Sequence, residues 1–205
     1  MYYLMHGGIL MYVILFVAVL GLGAVIERLL FLVRAERVSR GYLPKEVIKC
    51  LDNRDIKSAV ILLNKERGSE PKILKDVLME MYRYPNATAQ QLEEKAKEKA
   101  MIEVKELERS MRMLSFCTHS APLLGLLGTV TGMIKAFQAV AVHGTGDPSV
   151  LATGIYEALF TTAFGLIVAI VLLFFYNFIS GKIDNIITNM EISITELINN
   201  YSYKG

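Results

Sequence analysis

The chain has no Trp, only two Cys and five Pro in 205 residues, and three long stretches that lack charge altogether. Two cysteines, Cys50 in a charged segment and Cys117 at the start of an apolar one, do not make a disulfide framework and read as reduced thiols. Asp, Glu, Lys and Arg are missing from residues 7–26 (20 residues), 113–134 (22 residues) and 158–181 (24 residues). A helix needs about 20 apolar residues to cross a hydrocarbon core of roughly 30 Å, and each block meets that length. Apolar residues this concentrated argue against a water-soluble fold, and a 53% hydrophobic content excludes disorder. Also missing are a P-loop, a dinucleotide fingerprint, a zinc spacing and a nucleophile elbow, while His6, His119 and His143 stand far apart. Nothing in the sequence therefore supports an enzyme, a bound metal or a cofactor.

What is present sets a topology. Nineteen of the 22 Lys and Arg fall between Arg28 and Arg112. Basic segments stay on the cytoplasmic side, which predicts an outside N-terminus with a first span over 1–26 and an inside segment over 27–112. A second span over 113–142, an outside loop over 143–149, a third span over 150–181 and an inside helix over 182–205 follow. The first span is expected to persist as an anchor, because its basic flank comes after it rather than before. His143-Gly-Thr-Gly-Asp-Pro148 supplies the residues a reversal needs. The tail carries Ile183, Ile186, Ile187, Met190, Ile194, Leu197 and Ile198 at helical spacing. The expected fold is an all-α membrane protein with a helical cytoplasmic domain and long helices leaving the membrane.

Residues 27–112 hold 19 basic and 15 acidic side chains with the signs interspersed. That pattern predicts a solvated helical surface and excludes a nucleic-acid patch. Pro44 suits a first helical turn, Gly68 a C-cap, Ser69 with Pro71 a new start, and Thr88 with Gln91 a capping box. From Ala89 to Met113 there is no Gly or Pro, so one unbroken helix is expected to run into the second span.

On a helical wheel Gly154, Glu157, Ala158, Thr161, Thr162, Gly165 and Ala169 share one arc of about 140°, opposite Tyr156, Leu159, Phe160, Leu166, Ile167, Ile170 and Phe174. In the second span Thr118, Ala121, Pro122, Gly125, Gly128, Thr129, Gly132 and Ala136 share an arc of roughly 120°. Small faces of this kind close-pack helices with no further role. Glu157 exceeds that account: a charged carboxylate in a span costs at least about 2.5 kcal/mol and usually faces a cavity, a partner or a conduction path, although a structural carboxyl, ion-paired or protonated, is the other reading. Thr129 and Thr162 lie near the middle of their helices, so antiparallel packing brings both hydroxyls to one level, where they could hold water or a carboxyl; back-bonding to their own helix is the alternative. Lys135 and Glu157 lie outward of that level and can pair, or Lys135 can snorkel to the interface. Pro122 removes a backbone donor and predicts a kink or a weakened turn.

The run Ala121-Pro-Leu-Leu-Gly-Leu-Leu-Gly-Thr-Val-Thr-Gly132, followed by Ile155-Tyr-Glu-Ala-Leu-Phe-Thr-Thr-Ala-Phe-Gly-Leu166, resembles the ExbB, TolQ and MotA proton-channel family. The three-span layout resembles ExbB and TolQ over nearly the whole chain, and the four-span MotA less. The resemblance implies a homo-oligomeric ring, five copies in the family, around helices of an ExbD- or TolR-type partner in the bacterial inner membrane. It also implies that Thr129 and Thr162 line the bore and that Glu157 belongs to the same polar path. The proton-carrying Asp would come from the partner, in keeping with spans that hold none. The work would pass to a TonB- or TolA-type protein, for outer-membrane nutrient import in an ExbB role or envelope maintenance in a TolQ role. An autonomous channel and a structural scaffold are the readings from other classes. Lys135 matches no motif of the family.

Overall fold

The computed structural model describes residues 8–35, 41–53, 55–143 and 148–202. Every regular element among them is a helix: α1 (Gly8–Ala35), α2 (Lys45–Asp52), α3 (Ile56–Lys65), α4 (Ser69–Arg83), α5 (Ala89–Leu107), α6 (Met111–His143) and α7 (Pro148–Ser202). Three of them contain segments long and apolar enough to cross a membrane, Gly8–Val33, Met111–Val142 and Leu151–Tyr201. The protein is thus an all-α membrane protein. Helix α7 has 55 residues and no break at Gly181, a length of about 80 Å that far exceeds a hydrocarbon core. The loop residues 144–147 lie outside the described residues; His143 ends α6 and Pro148 opens α7.

The chain divides into two compact units, Met1–Glu27 with Ser110–Phe178, and Arg28–Arg109 with Ile179–Gly205. In the first, Met11, Ile14 and Val17 of α1, Cys117 and Ala121 of α6, and Ala158, Val168 and Leu172 of α7 are buried. The bulky side of α7 behaves as its wheel predicts, with Tyr156, Leu159, Leu166, Ile167, Ile170 and Phe174 exposed, and only Phe160 half-buried. Exposed aliphatic and aromatic side chains on every helix of the unit suit lipid or a neighbouring subunit rather than water. Helix α6 continues through Pro122 without interruption.

The second unit is a helical bundle cored by Leu63, Ile73, Leu74, Val77, Leu78, Met81 and Leu92, with Ile183, Ile186, Met190, Ile194, Leu197 and Ile198 of α7 buried as their spacing requires and Ile187 half-buried. The capping box forms: Thr88 Oγ1 accepts from the Gln91 N–H and the Thr88 N–H donates to Gln91 Oε1. Asp55 caps α3 by accepting from the Ser58 N–H at 3.0 Å and from its hydroxyl, bonds that hold its carboxyl below the usual range. Gly68 differs from its expected role, since α3 already stops at Lys65 and Gly68 is the N-cap of α4. The preceding Glu66 is extended, which ends the helix without a glycine.

One further expectation fails and another holds only in part, and buried charged side chains stand at both places. The helix expected to run unbroken from Ala89 stops at Leu107 and resumes at Met111. Arg28, 2% exposed, donates through Nη1 to the carbonyls of Glu106 at 2.8 Å and Leu107 at 3.1 Å. In a continuous helix those carbonyls would accept from Ser110 and Met111. The guanidinium also stacks on Phe31. Nor are all the charges solvated. Glu70 is buried and accepts from the Gly41 N–H and the Ser193 hydroxyl, while buried Glu103 pairs with Lys72. Replacing Arg28 by Met should cost about 2–3 kcal/mol, the scale of charge-assisted bonds. It should also slow amide exchange at Ser110 and Met111 as the helix closes across the gap; unchanged exchange there would show that another force sets the break.

Candidate functional site

Small residues let α6 and α7 approach until backbones touch. A methyl group added at Gly132 would stand 2.9 Å from the Ala158 Cβ, at Gly154 2.6 Å from the Ala136 Cβ, and at Gly165 2.7 Å from the Ala121 carbonyl oxygen. At Gly128 it would overlap the Thr161 hydroxyl. The partners run in opposite order along the two helices, as antiparallel packing requires. Gly125, Gly128, Gly132, Ala158, Thr161 and Gly165 therefore form a packed seam within the chain. Thr161 is 1% exposed and donates within its own helix, 2.9 Å from the Ala158 carbonyl, so the structure places it in the seam.

The hydroxyls separate into two kinds. Thr118, Thr131 and Thr153 each bond a carbonyl one turn back on their own helix, at 2.8, 3.0 and 2.8 Å, the common habit of threonine in a helix. Thr129 and Thr162 do otherwise. They hydrogen-bond one another across the seam. Thr162 Oγ1 lies 2.8 Å from the Gly125 carbonyl of α6, and Thr129 Oγ1 3.4 Å from the Ala158 carbonyl of α7. Each hydroxyl has one proton and two acceptor sites. The pair can run as Thr129 to Thr162 to Gly125, or as Thr162 to Thr129 to Ala158, and either sense occupies both protons. Reversing the donor direction keeps both protons bonded and exchanges the Gly125 carbonyl for the more distant Ala158 carbonyl as the terminal acceptor. Both threonines are only half-buried, so they remain reachable from one side.

Beyond the seam, Lys135 Nζ stands 3.2 Å from Glu157 Oε1, an ion pair between α6 and α7. The structure thus brings together the two threonines, and separately the two charges. Gly8 at the start of α1 escaped the sequence reading: any Cβ there would overlap Glu157 Oε1. A glycine near an N-terminus gives no sign of what it will approach. His119 is exposed on α6, with Nδ1 2.7 Å from the Ser115 carbonyl, and joins neither group. Among the described residues no cluster of three His, Cys, Asp or Glu could hold a metal ion.

Comparison with known proteins follows the same residues. A sequence profile described as the MotA/TolQ/ExbB proton channel family matches residues 65–192. An ExbB biopolymer transport protein homologue of Methanothermobacter thermautotrophicus is 30% identical over 91% of this chain and 64% of its own length. The biopolymer transport protein ExbB of Aquifex aeolicus is 36% identical over 48% of this chain and 66% of its own. The Tol-Pal system protein TolQ of Haemophilus influenzae is 36% identical over 41% of this chain and 37% of its own. The chain spans 64% of the length of the Methanothermobacter relative and 65% of that of an ExbB-like relative from Synechocystis. With three spans, a glycine-lined seam and two threonines bonded across it, the chain belongs to the MotA/TolQ/ExbB proton channel family.

Proposed function

We propose that this chain is the ring-forming, ExbB-like subunit of a proton-driven motor in the bacterial inner membrane. The single observation that carries the reading is the cross-helix threonine pair, because two half-buried hydroxyls that bond each other rather than their own helices can relay a proton to and from a carboxyl or water on their open side. The N-terminus lies outside, the segments 27–112 and 182–205 lie in the cytoplasm, and the chain acts as a channel subunit, not an enzyme. Five copies surround the single-span helices of an ExbD- or TolR-type partner, whose Asp carries the proton past Thr129 and Thr162. Glu157 belongs to the same path. The charge-free blocks 7–26, 113–134 and 158–181 contain no Asp of their own, which supports a carboxylate supplied in trans. Each charge that crosses yields about 2.3 kcal/mol per 100 mV, so a few protons drive a sizeable conformational cycle. A TonB-type protein then transmits the work to outer-membrane nutrient import. The TolQ relative favours envelope maintenance through a TolA-type protein as the second reading.

Proton flux into liposomes tests the proposal. The complex with the ExbD- or TolR-type partner should conduct and this chain alone should not. Equal flux from the chain alone would instead indicate an autonomous channel.

A further inference from the structure

Between Arg112 and Lys182 the only charged residues are Lys135, Asp147 and Glu157, and the structure joins the first and last of them. Lys135 Nζ is 3.2 Å from Glu157 Oε1, with the carboxylate side chain 23% exposed and the lysine side chain 60%. The pair lies immediately past the Gly132–Ala158 contact, where α6 and α7 are in close approach. On a third side stands Gly8, whose backbone is left-handed at φ +63°; a Cβ there would overlap Glu157 Oε1 and lie 3.7 Å from Lys135 Nζ. Helix α1 thus comes up against the carboxylate, and the Lys135 ammonium is in hydrogen-bond contact with it.

We infer that Lys135 is a specificity-determining residue of the conduction path, a tethered cation that fills the Glu157 carboxylate and keeps Na⁺ from it. The inference rests on the conduction reading proposed above. A bare carboxylate in a low-dielectric setting concentrates cations strongly. An ammonium in hydrogen-bond contact cancels that attraction, and an entering Na⁺ must displace it. Protons are not excluded in this way, because hydroxyls and water pass them by exchange without opening a cation-sized site. Lys135 thereby makes the path proton-selective, whereas a merely snorkelling lysine would leave selectivity untouched.

The test uses the complete complex with its partner in proteoliposomes, with proton flux and radiolabelled Na⁺ uptake measured in parallel. The native complex should pass protons with Na⁺ at background. Lys135→Gln and Lys135→Met should each raise Na⁺ uptake on the order of tenfold, the scale on which one uncompensated charge enriches cations in a cleft. Lys135→Arg, which keeps the cation, should stay at background. The Lys135→Gln, Glu157→Gln double variant should return to background, because the carboxylate that attracts Na⁺ is gone. Na⁺ uptake that stays at background in both uncharged variants while protons still flow overturns the inference and leaves the motor reading standing. Uptake that persists in the double variant is a leak and overturns it as well. A native complex that passes no protons overturns the motor reading itself, and the inference with it.

Discussion

Gly165→Ala is expected to separate α6 from α7 and to abolish proton conduction, although it adds a single methyl group. That methyl would stand 2.7 Å from the Ala121 carbonyl oxygen and 3.1 Å from the Gly125 Cα. Both obstacles are backbone, so no rotamer change relieves them and the helices must move apart. Forcing an extra carbon into a packed seam costs about 1–3 kcal/mol. The consequence for function is larger than the cost, because Gly125 supplies the carbonyl that the Thr162 hydroxyl meets at 2.8 Å. Gly23→Ala is the matched control, since a methyl there would meet nothing within 4 Å. A lowered unfolding midpoint and lost flux in Gly165→Ala, with both retained in Gly23→Ala, is the expected result. Equal behaviour of the two variants would show that seam closure does not matter.

Thr162→Val should have the greater effect of the two threonine replacements. The hydroxyl of Thr162 links Thr129 to the Gly125 carbonyl, so its loss breaks two contacts and removes one end of the relay. Thr129→Val also breaks two contacts, but the carbonyl bond it loses is the longer one, to Ala158 at 3.4 Å, and the shorter bond from Thr162 to Gly125 stays in place. Valine nearly preserves the shape of threonine, which separates proton transfer from packing. We expect flux to fall by at least about tenfold in Thr162→Val, equivalent to 1.36 kcal/mol on the barrier. Thr162→Ser should retain it, because the hydroxyl remains. A Thr162→Ser complex as inactive as Thr162→Val would assign the role to the methyl group and to packing.

The spans and the small faces were legible in the sequence because both follow from simple rules, a charge-free length and a 3.6-residue period. The meeting of Thr129 with Thr162 followed from depth alone, since each sits near the middle of antiparallel neighbours. Pairing of Lys135 with Glu157 was open, because a long flexible lysine can equally reach the interface; the register of the seam decides it. Thr161 shows the limit of a wheel. It shares the arc of Thr162, yet it faces Gly128 and is fully buried, and only the position of the neighbouring helix distinguishes adjacent threonines. The break at residues 108–110 was not legible because the side chain that bonds the carbonyls of Glu106 and Leu107, Arg28, is almost 80 residues away in sequence. Likewise Glu70 and Glu103 carry no local mark that sets them apart from their solvated neighbours on α4 and α5.

The most direct test of the proton-relay account compares Thr162→Val with Thr131→Val in the same partner-containing liposomes. Thr131 lies two residues from Thr129 but bonds the Leu127 carbonyl of its own helix at 3.0 Å. Each variant loses one hydroxyl from a span, and only one of those hydroxyls crosses the seam. Proton flux lost in Thr162→Val and retained in Thr131→Val is the predicted result. Flux retained in Thr162→Val would contradict it, for the hydroxyl pair would then be packing and the protons would take another route.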